Sequence, residues 1–193
     1  MTKRFSTVRL AGSQAGYSLI EVMVVLGIMG VMASMAVFQI AQSQPAAKAE
    51  GAMRVVIAQL NGARSQAITQ RRVMDVSFNS PNLIQVTREE VPGPATTTLM
   101  TVPFEGGIQY TLITGLPDTP DAFGLHAAVD FGSATKIRFN TDGSLIDQSG
   151  NILNGTLVVA VPNMINSTRA VTILGSTGRV RGYKWNGKAW VLV

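Results

Sequence analysis

The pattern of apolar and polar positions changes period twice along the chain. From Val22 to Ile40 runs VMVVLGIMGVMASMAVFQI, 19 residues without a charge. As a helix that run is roughly 28 Å long, close to the roughly 30 Å hydrocarbon core of a bilayer. A core helix of a small globular domain keeps a polar face, and this run has none, so it is expected to cross a membrane. Beyond it, Ala52, Val56, Leu60, Ala63 and Ala67 recur every three or four residues, with Arg54, Arg64 and Arg71 elsewhere. That spacing predicts a helix continuing to about residue 70, its apolar stripe laid on a sheet. Pro45 lies between the two halves and is expected to bend or loosen the helix, because it removes a backbone donor and crowds the preceding turn.

After Gln70 the period becomes two. Met74, Val76 and Phe78 fall on one face of VMDVSF (73–78), and LIQVTR (83–88) follows the turn signal Ser80-Pro81-Asn82, which predicts a hairpin. Further strands are expected at 108–113, 136–140, 156–161, 170–174, 178–185 and 189–193. VPGPATTT (91–98) reads as a loop, and 114–129, with Gly115, Pro117, Pro120 and Gly124, as a long surface loop. Asn186-Gly187 between the last two strands marks a tight hairpin. The fold class is therefore α+β: one long N-terminal helix, half transmembrane and half amphipathic, packed on an antiparallel β-sheet head. Residues 1–16 are expected to be a leader, 17–41 a membrane and assembly helix, and 42–193 the head.

Two features of the N-terminus go beyond a plain anchor. The best small-residue cleavage site, Ala15-Gly16, precedes the apolar run, whereas an ordinary signal peptide is cut after its apolar region. Glu21 stands at the edge of the run. A carboxylate at the bilayer centre costs roughly 2.5–3.5 kcal/mol on insertion scales, so an acid in such a segment points to function. Cleavage between Gly16 and Tyr17 would create an α-amine four residues before Glu21, on the same helical face. That amine has two possible partners, its own Glu21 or the Glu21 of a neighbouring subunit, and the second would drive lateral assembly and set axial register.

The stretch GYSLIEVMVVLGIMGVMA resembles the class III leader site of type IV prepilins and type II secretion pseudopilins, with Tyr17 where Phe is usual and Ser18 where Thr is usual. The resemblance implies cleavage after Gly16 by a prepilin peptidase/methyltransferase, N-methylation of Tyr17, and assembly through Glu21. Its implied partners are other pilin or pseudopilin subunits and an inner-membrane assembly platform. The implied location is the bacterial inner membrane, single-pass, with head periplasmic or extracytoplasmic, before assembly into a pilus or pseudopilus. Lys3, Arg4 and Arg9 would hold the leader in the cytoplasm. In the head, ARSQAITQRRVMDVSF (63–78), IRFNTDGSL (137–145) and TGRVRGY (177–183) resemble the helix-to-strand junction, internal hairpin and C-terminal strand of H-type pseudopilins and minor pilins. Residues 91–130 match no part of that pattern.

Composition narrows the function of the head. The chain has 193 residues, no cysteine and one histidine, His126, so disulfides and thiolate chemistry are excluded. No nucleophile triad, carboxylate pair or phosphate loop accompanies His126, which reads as a partly buried or loop histidine. The protein is expected to be no enzyme and to need no cofactor. Asn140, Asp142 and Asp147 lack the later acids of a calcium loop, and Asp142-Gly143 is ordinary turn chemistry, so no metal is expected. Phe104, Leu112, Ile113 and Leu116 suit a core and an interface. Without Lys3, Arg4 and Arg9, 13 of the 16 basic residues remain against 11 acidic ones. The last acid is Asp147; Arg169, Arg179, Arg181, Lys184 and Lys188 follow it unbalanced, which suggests a local anionic partner.

Two functions are expected of such a head. The first is structural: a minor pilin or pseudopilin serving protein secretion through a type II pseudopilus, or the initiation of pilus assembly. The second is DNA uptake. Arg179, Arg181 and Tyr183 share strand parity, Lys184 and Lys188 follow, and arginines beside an aromatic make a backbone grip with a stacking surface. GRVR (178–181) also resembles the Gly-Arg-x-Arg motif of DNA-uptake minor pilins, which implies phosphate contacts for Arg179 and Arg181. Exposed arginines on an edge strand also guard against aggregation.

Overall fold

The computed structural model describes residues 16–132, 134 and 136–193; Lys3, Arg4, Arg9 and Ala15 of the leader lie outside them. Among the described residues, one α-helix, α1 (Leu19–Gln70), is followed by eleven strands and one short 3-10 turn. The chain divides into two compact units between Gln42 and Ser43. Pro45 lies inside α1, so the helical assignment passes through the proline rather than ending there.

In the second unit the amphipathic stripe is buried as its spacing predicts. Ala52, Val56, Leu60, Ala63 and Ala67 are all core residues. They pack with Met53 against two antiparallel sheets. The first sheet has the order β3-β2-β1-β6-β7, made of β1 (Met74–Asn79), β2 (Leu83–Glu89), β3 (Thr96–Pro103), β6 (Ile137–Phe139) and β7 (Leu145–Ile146). The second has the order β11-β10-β9-β8-β4, with β5 also pairing β8. It contains β4 (Gln109–Tyr110), β5 (Val129–Asp130), β8 (Gly155–Ala160), β9 (Arg169–Leu174), β10 (Arg179–Trp185) and β11 (Trp190–Leu192). Met74, Val76, Ile84, Phe139, Leu157, Val171 and Ile173 join the helix stripe in one core cluster. A fully buried side chain of this kind contributes about 1.5–3 kcal/mol, so the stripe is what holds the helix on the sheets.

A second, smaller cluster lies apart from that core. Val158, Ala170, Tyr183, Trp185 and Trp190 form it, with Leu116 and Leu125 of the long loop and Leu112 just before it packed against them. The two tryptophan rings meet edge to face at 5.4 Å, and Trp190 Nε1 donates to the Pro117 carbonyl at 2.8 Å. The loop expected at 114–129 therefore serves as a cover for the second sheet.

Several strands differ from expectation. β3 begins at Thr96, inside the segment read as loop; its polar Thr residues hid it, and it exists because β2 offers it a hydrogen-bonding partner from Leu83 to Glu89. The strand expected at 108–113 is cut to Gln109–Tyr110, since only Ala160 and Val159 face it. The basic strand β10 lies between β9 and β11, but β11 pairs only with Tyr183–Trp185, so the part that carries Arg179 and Arg181 is an open edge on that side. Asp75, on the polar parity of β1, is buried. It is kept there by Arg138, its cross-strand partner, and by Lys136, with contacts of 2.9 and 3.0 Å; opposite charges directly across a ladder stabilise it. Arg138 also bonds Glu89.

Candidate functional site: an uncovered apolar helix and a basic strand

Residues Leu19–Val37 form a membrane-length helix of mean hydropathy 2.2, and none of their side chains is buried within the chain. Backbone bonds are satisfied along the helix, so the segment can enter hydrocarbon without exposing polar backbone. Tyr17 lies just ahead of the helix, with Val22 N–H donating to the Ser18 carbonyl at 3.2 Å. Tyr17, Glu21, Val22, Val25 and Leu26 line one shallow concavity. The tyrosine and the carboxylate thus lie on one side, as the spacing predicts. Among the described residues Glu21 has no ion-pair partner.

The five residues nominated on the basic C-terminal segment are not brought onto one surface. Arg179, Lys184 and Lys188 are exposed. Five strand steps, roughly 17 Å, separate Arg179 from Lys184, and their opposite parity sends them to opposite faces. Arg181 and Tyr183 do share a face, but both are engaged by a residue from the loop. Asp121 receives a charged bond from Arg181 Nη1 at 2.7 Å, one from the Tyr183 hydroxyl at 2.9 Å and one from the Thr172 hydroxyl at 2.6 Å. Thr172 and Arg181 are direct cross-strand partners, so the sheet itself aligns the donors. Tyr183 is 4% exposed and its ring offers no stacking surface. Burial alone would raise the Asp121 pKa, but the Thr172 and Tyr183 hydrogen bonds and the Arg181 charge outweigh it and hold the carboxyl below its usual range. Burial, then the bond to Asp121, pushes the Tyr183 phenol up.

Asp121 escaped the sequence reading because its partners lie 51 to 62 residues further on and no local pattern links them. Arg169 and Glu50 were missed for the same reason. Arg169 is 6% exposed, bonds Glu50 Oε2 at 3.1 Å and the Ala46 carbonyl at 3.1 Å, and so ties β9 to α1.

The remaining polar residues serve turns. The Asp142 carboxylate accepts from the Ser144 hydroxyl and backbone at 2.6 and 2.9 Å, and these bonds lower its pKa. Asp147 is likewise lowered, first by the Asn151 backbone bond. His126 is an exposed loop residue whose Nδ1 lies 2.9 Å from Asp130 Oδ2. No group of three His, Cys, Asp or Glu side chains suited to a metal occurs among the described residues.

The family described as "Prokaryotic N-terminal methylation motif" matches residues 12–37. No curated protein matches the chain. Among solved structures, the type IV minor pilin FimU of Pseudomonas aeruginosa strain PAO1 is similar in two crystal forms. The first has 14% identity and a TM-score of 0.48, covering 78% of this chain and 95% of FimU. The second has 15% identity and a TM-score of 0.46, covering 69% and 90%.

Proposed function

We propose that this protein is a non-enzymatic subunit of a type IV pilus or a type II secretion pseudopilus, of the minor-pilin or H-type pseudopilin kind. The observation that carries the reading is the match of the methylation motif to residues 12–37 on a helix whose apolar side chains none of the described residues covers. A helix apolar on all sides needs lipid or other helices around it, and an assembling subunit has both in turn. A prepilin peptidase/methyltransferase cuts after Gly16 and methylates the Tyr17 amine. The Glu21 carboxylate, without an ion-pair partner among the described residues, then binds the Tyr17 amine of a neighbouring subunit and fixes register. The subunit waits in the inner membrane, head outward, until an assembly platform adds it to the filament. Glu21→Ala tests this: membrane insertion is expected to be unchanged while incorporation into sheared filaments falls several-fold, and normal incorporation would sink the register argument.

A second reading, DNA uptake, draws support from exposed Arg179, Lys184 and Lys188 in a segment without acids after Asp147. Arg179 faces away from Lys184, so one DNA backbone meets at most two of these cations at a time, which gives weak affinity with a salt slope of about −2. Affinity of the purified protein for duplex DNA is expected to fall when the three are changed to Ala together. Binding unaltered by that triple change would remove the reading.

A further inference from the structure

The second sheet ends on a step. β11 pairs with β10 only from Tyr183 to Trp185, with one further bond from the Val193 N–H to the Gly182 carbonyl at 2.9 Å. β9 accompanies β10 from Arg179 to Lys184. Between Arg179 and Arg181, β10 therefore has a neighbouring strand on one side and none on the other. Backbone groups alternate sides along an antiparallel strand. The Trp185 N–H points to the β9 side, where it donates to the Thr168 carbonyl, and the Gly182 carbonyl points to the β11 side. Val180 shares the parity of Gly182, so its N–H and C=O both face the open side. Among the described residues neither group has a partner there.

Positive charge flanks the open stretch. Arg179 is exposed. Arg181 keeps 38% of its side chain exposed after its bond to Asp121, and a guanidinium has donors to spare. Arg64 of α1 lies against Gly178, where an added Cβ would stand 2.7 Å from the Arg64 Cδ. Arg64 and Arg179 have no ion pair among the described residues. The acids on the adjoining loop and turn are engaged, Asp121 by Thr172, Arg181 and Tyr183 and Asp142 by Ser144. An unpaired strand edge is a template for another strand. Arginines beside it repel basic strands and discourage apolar ones, while opposite charges directly across a ladder stabilise it. Acidic strands are the partners such an edge favours.

We propose that Gly178–Arg181 is a docking edge for an extended segment of another protein, with the pattern acid-apolar-acid, which adds to the second sheet as an antiparallel strand. The middle residue of the segment exchanges two backbone hydrogen bonds with Val180. Val180 packs against the main core, so an apolar residue beside it suits that face. The two acids stand opposite Arg179 and Arg181, at the non-hydrogen-bonded positions where cross-strand side chains come closest, with Cα atoms about 4.5 Å apart. Arg179 and Arg181 share one face of the sheet, so acids separated by one residue meet both. A second copy of this chain does not offer the segment, since no two of its 11 acids are two residues apart. In strand addition of this kind, main-chain bonds give affinity and alternate side chains give specificity. The edge lies wholly within the unit from Ser43 to Val193, so its occupation does not depend on the membrane reading of the helix.

The test titrates the full-length, isotopically labelled protein in a non-ionic detergent with the capped peptide Thr-Glu-Val-Glu-Thr while amide resonances are followed. The Val180 N–H is expected to shift and saturate, with the amides from Arg179 to Gly182 moving beside it. The same peptide N-methylated at its valine keeps both charges but loses the middle donor, and is expected to bind about tenfold more weakly. Thr-Val-Glu-Glu-Thr, whose acids fall on opposite faces, is expected to lose a similar amount. Arg179→Glu, a change at an exposed side chain, is expected to weaken the original peptide roughly tenfold. That variant should instead prefer Thr-Glu-Val-Lys-Thr, whose lysine meets position 179 in the antiparallel register. Equal binding of the N-methylated peptide would reduce the site to charge attraction and overturn the docking edge. So would a Val180 amide that no peptide moves, or one that moves with protein concentration alone, which would assign the edge to a second copy. Duplex DNA that shifts these amides where the peptide shifts none would assign the arginines to nucleic acid and likewise overturn it.

Discussion

At the scale of single residues, Asp121 does the most to organise the second sheet. It closes three donors of β9 and β10 and brings the loop that carries Leu116 and Leu125 onto the tryptophans. The next residue, Ala122, has φ of 56°, a conformation that an alanine adopts at a cost of order 1–3 kcal/mol, so the surrounding bonds must over-determine it. Asp121→Ala leaves the buried Thr172 and Tyr183 hydroxyls without their acceptor. The expected loss is about 1–3 kcal/mol, or roughly 2–4 °C of Tm per kcal/mol in a domain of this size. Because the folded pKa of Asp121 is depressed, its contribution is fully present above the ordinary carboxylate value of about 4 and is lost as pH falls through the lower folded value. The Tm gap between wild type and Asp121→Ala should thus be constant from neutral pH to about pH 5 and close below about pH 4. A gap that widened on acidification would contradict the assignment.

Between elements, the contact of α1 with β10 depends on a missing side chain. A Cβ at Gly182 would stand 2.8 Å from Ile57 Cδ1 and 3.1 Å from Met53 Sδ. Val180 and Lys184 share its parity, yet only Gly182 of the three is buried, which marks the closest approach of helix and strand. Gly182→Val overfills that contact and is expected to destabilise by about 1–3 kcal/mol, read as a lower urea midpoint. An unchanged midpoint would mean that the helix is free to shift off the strand. The same helix is fastened at one end by Arg169 to the Ala46 carbonyl and Glu50 and further along by Arg64 Nε to the Gly143 carbonyl at 3.1 Å. Packing of the stripe sets which face is inward, and these two bonds add fixed points along its length.

For the whole molecule, the proposed life cycle turns on one peptide bond. Replacing Gly16 by a bulky residue such as Leu should leave an uncut precursor, larger than the mature protein by the leader and still extracted only by detergent. Mass spectrometry of the membrane fraction would show it directly. Normal maturation of that variant would refute the cut site while leaving the helix as a membrane anchor. In the proposed cycle, removal of the leader would take away Lys3, Arg4 and Arg9, the positive charges expected to hold the N-terminus in the cytoplasm.

Local pattern was enough to show the apolar helix, the buried stripe from Ala52 to Ala67 and most strands, because each is a repeat within a few residues of one chain segment. The hairpin turns were equally legible, since Asn-Gly and Asp-Gly need only their own backbone conformation. What the tertiary structure alone decided was everything that depends on a distant partner. Thr96–Pro103 is a strand because β2 pairs with it, and Asp75 is buried because Arg138 and Lys136 come to it from more than sixty residues away. Arg181 and Tyr183 looked like a free binding surface as a sequence; in the fold both are bonded to Asp121 from the loop, with Tyr183 buried and Arg181 still partly exposed. Residue spacing encodes which side chains share a face; which groups neutralise one another across the molecule is set only when the sheets and the loop are folded together.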